Sequence, residues 1–443
     1  MLKKNVPEKK RKKVLIISYY WPPCGGIGVL RCLKLAKYLS EFGWEPVVYT
    51  AENAHYPSYD EGNFKDIPEG MTILKQPIFE PYTFYKKFTG QPKNANVNHA
   101  LVATDQKRGL RHTISVWIRS NIFIPDARAF WIRPSVKFLV NYLKNNPVDA
   151  IFSDGPPHTN NVIACRVKQK TGIPWIADFQ DPWTQVDLYE RLILTDWADR
   201  KYHDLEQETF QNADRITIAS PSWKTDLENI GAKNVSVFYY GYDKADFQDL
   251  IPQYDKKFTL THTGLLGADR MPTGLFEAVS ELAQENKAFR DAFRFRTVGK
   301  TDNEVLQKAK DLGIWDLLEV ISQVPREQAL QYTANSQMLL LLLNLAGNTM
   351  GRIPGKLYEY FAVKRPILCL GPTGSDSDRM ISEVKAGFSA NYHEKDKIKK
   401  LLFHYFQIWQ ERKVIPLETA NFEKYTNYAQ TQKIAQLLDQ ITR

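Results

Sequence analysis

Apolar runs of strand length alternate along this chain with segments of helical period, in two successive series. Val14-Leu15-Ile16-Ile17-Ser18 is a continuous apolar run, the pattern of a strand covered on both faces. From about residue 29 to 42, Leu30, Leu33, Leu35, Tyr38 and Leu39 predict a helix with those side chains inward, and Gly43-Trp44-Glu45-Pro46 then turns into a strand at 47–50. Helices over 134–145, 160–171 and 197–212 alternate with strands at 150–153, 174–177, 215–220 and 235–240. This predicts a doubly wound α/β lobe over 14–245. A second series, with strands at 258–264, 293–299, 318–322, 338–343 and 367–370, predicts another over 246–420. Residues 244–257 are polar and unpatterned, the best linker candidate. Residues 421–443 read as one amphipathic helix. A chain of 443 residues is long for one core, which agrees with two lobes.

Composition changes this picture little. The chain is 43% hydrophobic and 25% charged, ordinary for a soluble globular protein, and its net charge of +9 favours anionic partners. Residues 1–13 hold seven cations against Glu8 and form a basic tail, either solvated or drawn to anionic lipid headgroups. The stretch 51–135 is irregular. Its later part interleaves Lys107, Arg108, Arg111, Arg119, Arg128 and Arg133 with Trp117, Phe123, Phe130 and Trp131, followed by Lys137. It fits a lipid surface or anionic acceptor, or equally helices packed on the core with snorkelling cations. Cys24, Cys32, Cys165 and Cys369 lack C-x-x-C spacing, which argues against a zinc site or disulfide framework and for a reduced compartment. The apolar run 14–17 is too short for a signal peptide, and the longest, 338–343, is too short to span a bilayer. The expected location is cytoplasmic, with peripheral attachment to the inner face of the cell membrane left open.

Candidate chemistry lies at the ends of the strands, where parallel sheets place their ligands. Gly26-Ile27-Gly28 partly matches a dinucleotide fingerprint, but Arg31 stands where the third glycine belongs and no acidic residue ends the second strand. The loop either lets backbone approach a diphosphate or sugar, or is a plain turn. His158, Asp178 and Asp181 follow two further strands and are placed for chemistry; turn-capping aspartates and a loop histidine are the alternative. In Pro354-Gly355-Lys356-Leu357-Tyr358-Glu359-Tyr360, Lys356 and Glu359 share one face at a helix start. A cation, a carboxylate and free N–H groups there could hold a phosphate and a sugar hydroxyl. Asp376-Ser377-Asp378, in a Ser/Gly loop, reads as a turn.

Taken in order, these motifs resemble a family 4 glycosyltransferase. Tyr20 to Arg31 resembles that family's N-terminal glycine loop, and Asp178-Phe179-Gln180-Asp181-Pro182-Trp183 is similar to the D-F-R-D-x-W segment of a bacterial cell-surface polysaccharide subgroup. Tyr240-Gly241-Tyr242-Asp243 resembles the N-G-Y-D that closes the first lobe, residues 264–270 the glycine turn that opens the second, and residues 354–360 the P-G-K-x-x-E-Y signature. The resemblance implies the GT-B fold, two Rossmann-like lobes facing a central cleft, with the C-terminal helix returning to the first lobe. It implies a retaining, metal-independent hexosyltransferase with no cofactor beyond its nucleotide-sugar co-substrate. Its acceptor would be a glycan or lipid-linked molecule in cell-surface polysaccharide or lipopolysaccharide synthesis. Glu359 would contact the ribose, Arg270 and Lys356 the diphosphate. Gly25, Gly26, Gly28 and Gly264 would bring backbone close to the donor, and His158, Asp178 and Asp181 would serve catalysis. No metal ligand and no nucleic-acid partner are expected. The pattern departs from the family at Gly351, where many members carry a second glutamate, at Leu265 in place of an arginine, and at Gln180 in place of a histidine.

Two other readings stand beside this one. A nucleotide-sugar epimerase can share the fold and would need no acceptor. A non-catalytic protein binding anionic surfaces would use the basic tail and the 107–137 region.

Overall fold

The computed structural model describes residues 11–80, 110–187, 189–345, 347–415, 417 and 421–443, apart from the side chains at 110–112 and 115. Most of the basic tail, and the segment holding Lys107 and Arg108, lie outside the described residues.

The described residues divide into two units, one running to Tyr240 and resuming at Asn427–Arg443, the other Gly241–Thr426. The first is built on seven parallel strands: β1 (Lys12–Ile17), β2 (Trp44–Ala51), β3 (Thr72–Gln76), β4 (Ala150–Gly155), β5 (Trp175–Phe179), β6 (Arg215–Ile218) and β7 (Val235–Val237). Their order is β3-β2-β1-β4-β5-β6-β7, all parallel, so the winding reverses between β1 and β4. Helices α1 (Ile27–Leu39), α2 (Leu110–Ile122), α3 (Ile132–Asn145), α4 (Thr159–Thr171), α5 (Asp196–Asn212) and α6 (Pro221–Asn229) connect them. Leu15, Ile17, Val47 and Tyr49 join one buried cluster, and Val14, Ile16 and Val48 another. Both faces of the sheet are therefore covered, which is why β1 and β2 are apolar at successive positions.

The second unit repeats the plan with β8 (Phe258–Thr263), β9 (Phe293–Val298), β10 (Leu318–Ile321), β11 (Met338–Leu342), β12 (Ile367–Leu370) and β13 (Gly387–Ala390), ordered β10-β9-β8-β11-β12-β13. This is the Rossmann order, reversing between β8 and β11. Its helices are α7 (Thr273–Glu285), α8 (Lys287–Ala292), α9 (Asn303–Asp311), α10 (Arg326–Asn335), α11 (Gly355–Val363), α12 (Asp376–Glu383) and α13 (Lys395–Arg412). The last helix, α14 (Asn427–Ile441), belongs to the first unit. There Ile434, Ala435, Leu437 and Leu438 join the cluster of Leu33, Leu35 and Leu39 from α1. No helix among the described residues is long and apolar enough to cross a membrane.

Several details differ from the sequence pattern, among them strand β13, which the pattern did not predict. The irregular stretch 51–135 contains β3, whose half-exposed edge positions give no apolar run. Arg128 in that stretch does not face outward: it is buried, its Nε 3.2 Å from Glu80 Oε1 and its guanidinium 4.5 Å from the Tyr19 ring centre. The expected linker is tied down, because Asp255 accepts from Arg296 Nη1 at 2.7 Å and from Thr259 Oγ1 at 2.8 Å. The single helix expected over 421–443 is interrupted. Phe422 and Tyr425 pack on Phe361 at 5.1 and 5.2 Å, and Thr426 is extended before α14 begins.

Candidate functional site

In the first lobe the loop after β1 is shaped by its glycines. Gly26 has a φ of +87°, a left-handed conformation that other residues strain to adopt, and a Cβ on Gly25 would lie 3.0 Å from Ser58 Oγ. Gly28 is less constrained, since a Cβ there would make only ordinary contact with Gln180.

Beneath this loop lies a fully enclosed polar cluster at the switch point. Arg31 donates from Nε to Asp178 Oδ2 at 2.6 Å and from Nη2 to Asp178 Oδ1 at 2.8 Å, with its guanidinium 4.0 Å from the Phe238 ring centre. Thr217 donates to the same carboxylate. Asp154, at the end of β4, accepts from Ser18 Oγ at 3.1 Å and from Gln180 Nε2. Gln180 in turn accepts from the Tyr240 hydroxyl at 2.8 Å and donates to Gly28 O at 3.4 Å. Burial, and next the neighbouring Asp178, push the Asp154 carboxyl up to about 7.

Of the residues expected to serve catalysis, Asp178 is 0% exposed and both its oxygens accept from Arg31, so it ties α1 and the glycine loop to β5. His158, just before α4, lies stacked on Trp183 at 4.2 Å, and burial holds its imidazole neutral, down to about 3. Asp181 is half-buried. Arg31 and Asp154 were passed over in the sequence, although Arg31 at the third-glycine position was itself a signal.

The second lobe gathers its predicted residues more closely. Gly264 follows β8 with a φ of +95°, and Lys356 Nζ donates to Thr263 O; a Cβ on Gly264 would come within 3.1 Å of that nitrogen. Lys356 and Glu359 stand in the first turns of α11, which no side chain caps. Burial, then the charge of Arg270, lowers Lys356 to about 8. Arg270 lies in a turn at Ala268–Arg270 and donates to its neighbour Asp269 at 3.2 Å. Burial raises the Glu359 carboxyl, whose Oε1 accepts from Arg326 Nη2 at 3.1 Å.

His262, not singled out in the sequence, is fully buried between the strands that flank the switch point. Its Nδ1 is 3.0 Å from Leu340 O and its Nε2 3.3 Å from Leu265 O. The Tyr360 hydroxyl joins the same strands, 3.2 Å from Thr263 Oγ1 and 3.3 Å from Leu340 O. Together they hold the Gly264 turn against α11. Asp376 and Asp378 serve the start of α12, where Asp378 accepts from Gly374 N at 2.7 Å and Ser375 caps Asp378 N.

The arrangement offers a turn of exposed backbone, two cations and a carboxylate at one strand edge, a combination suited to a diphosphate beside a diol. Comparison with solved structures shows the same architecture. Anabaena HepE, in complex with UDP-glucose, aligns over 97% of this chain and 100% of its own at 14% identity, with a TM-score of 0.56. The lipopolysaccharide outer core galactosyltransferase WaaB aligns over 96% and 99% at 14% identity, with a TM-score of 0.54. A Listeria monocytogenes protein assigned as a UDP-N-acetylglucosamine 2-epimerase aligns over 96% and 95% at 13% identity, with a TM-score of 0.53. No curated protein sequence matches the chain. Residues 25–241 match the glycosyl transferase 4-like domain. With the glycine loop and the first sheet inside that match, the first lobe is a glycosyl transferase 4-like domain, and the two Rossmann-like lobes are of the GT-B kind.

Proposed function

We propose that the chain transfers a hexose-type sugar from a nucleotide-sugar donor to a glycan or lipid-linked acceptor. The anomeric configuration is retained and no divalent cation takes part. The setting is the cytoplasmic face of a membrane where cell-surface polysaccharide or lipopolysaccharide is made. One observation carries this reading: Gly264, Lys356, Arg270 and Glu359 are gathered at the switch point of the second sheet. As the glycosidic bond breaks, negative charge grows on the leaving diphosphate, and two fixed cations stabilise it as a metal ion would elsewhere. A carboxylate at Glu359 accepts hydrogen bonds from two ribose hydroxyls. The UDP-glucose bound to HepE and the galactosyltransferase role of WaaB, on the same fold, support a nucleotide-sugar donor.

The test is a thermal-shift screen against UDP, GDP, ADP and their sugar conjugates, followed by transfer assays with the donor that binds. Binding raises the melting temperature by mass action, and Glu359→Ala should abolish both the shift and the transfer. Wild-type behaviour of that variant would overturn the assignment. The configuration of the product, read from its anomeric proton, and activity in EDTA test retention and metal independence. The epimerase-like neighbour favours one other reading, which predicts conversion of UDP-N-acetylglucosamine with no acceptor present.

A further inference from the structure

Arg326, the first residue of α10, stands between two carboxylates of the second lobe. Its Nη2 donates to Glu359 Oε1 at 3.1 Å and lies 3.9 Å from Asp246 Oδ2. The three side chains differ in exposure: Arg326 is 45% exposed, Glu359 32% and Asp246 10%. Arg326 is a long, half-exposed side chain at the start of a helix, so changing partner needs only side-chain rotation. Glu359 is the carboxylate that the proposed function gives to the ribose. A carboxylate that receives two hydroxyl hydrogens needs both oxygens, and one of them is held by Arg326.

We propose that Arg326 is a latch on the nucleotide pocket: it occupies Glu359 in the empty protein and is handed to Asp246 when the ribose arrives. This rests on the reading of Glu359 as the ribose ligand. In the bound state the guanidinium stays paired with Asp246 while the ribose hydroxyls satisfy Glu359, so Arg326 keeps a carboxylate partner throughout. The second partner is what keeps nucleotide binding from being opposed by the full strength of the first contact. Arg326 therefore sets how readily the pocket accepts a nucleotide, and Asp246 sets how readily Arg326 lets go.

The test is calorimetric titration of UDP, GDP and ADP into the full-length protein and its variants. A half-exposed ion pair is worth at most about a fivefold factor in affinity, which sets the scale expected. Arg326→Ala, and independently Arg326→Gln, should bind the preferred diphosphate about two- to fivefold more tightly than wild type. Asp246→Ala should bind it more weakly by a similar factor, and this loss should vanish when Arg326 is also replaced. Unchanged or weaker binding in both Arg326 variants overturns the latch, as does an Asp246→Ala loss that persists without Arg326. Glu359→Gln separates the two levels of the argument. If it binds like wild type, or if no diphosphate binds wild type, the reading of the site fails and the latch with it. If it loses binding while the Arg326 variants do not gain, only the latch fails.

Discussion

Arg31 and Asp178 form a two-pronged ion pair, 2.6 and 2.8 Å long, with neither side chain exposed to solvent. It joins the first turns of α1, just after the glycine loop, to the end of β5. A guanidinium pays for burial only when its charge is matched, and here the carboxylate meets it in the bidentate geometry that suits both groups.

Removing one partner should therefore cost more than the pair contributes. Arg31→Met leaves a buried unpaired carboxylate, and the first lobe should lose about 3–5 kcal/mol in urea unfolding. Arg31→Met with Asp178→Asn should lose much less than the sum of the two single changes. Additive losses would show that the two side chains are not coupled.

Asp154 predicts a dependence on pH. The folded protein holds its proton up to about 7, whereas the unfolded chain releases it near the ordinary carboxylate value of 3.8. Between about pH 4 and 7 the native state binds the extra proton, so this group's contribution is complete at low pH and is lost as pH rises through 7. Asp154→Asn removes that fall. The stability difference between the two proteins, measured by urea titration across this range, should shift steadily in favour of the variant as pH rises; a constant difference would contradict the assignment.

Lys356 predicts a second dependence, in binding. With its ammonium lowered to about 8, the positive charge fades between pH 7 and 9. Affinity for a nucleoside diphosphate should fall over this interval in wild type. In Lys356→Arg, whose guanidinium stays charged, it should fall much less. Parallel profiles would remove Lys356 from the phosphate site.

Leu438 tests the attachment of α14. It is fully buried in the first-lobe cluster, and Leu438→Ala should cost about 2–5 kcal/mol. Unfolding followed by probes in each lobe should show the loss in the first lobe alone; an equal loss in the second would mean that the helix supports both.

The parts of this molecule legible in sequence are those where burial and period agree. β1, β4 and β11 carry runs of successive apolar positions because both their faces are covered, and the turns that follow them carry glycines. Strands β3 and β13 escaped because they lie at sheet edges, where half-exposed positions carry no continuous apolar run. In the second lobe, Lys356 and Glu359 were legible because local helix spacing places them together. The first-lobe cluster was not. Arg31 and Asp178 are 147 residues apart, and a buried arginine on an apolar helix looks like a surface residue until its partner is known. The anchoring contact of Asp178 was hidden for the same reason, since it depends on a partner far away in the chain.

Because α14 completes the first lobe's core, the second lobe is an insertion in the chain of the first. Its two ends are stitched together, with Tyr242 N donating to Tyr425 O at 3.0 Å. During synthesis, residues 241–426 emerge in full before the helix that seals α1 has been made. The inserted lobe can thus reach its native state on a nascent chain, whereas the first lobe must wait until α14 has been made. Adjacent ends are also what allow a domain to be cut out or permuted. Expressed alone, residues 241–426 form the natural minimal fragment for testing the proposed nucleotide binding.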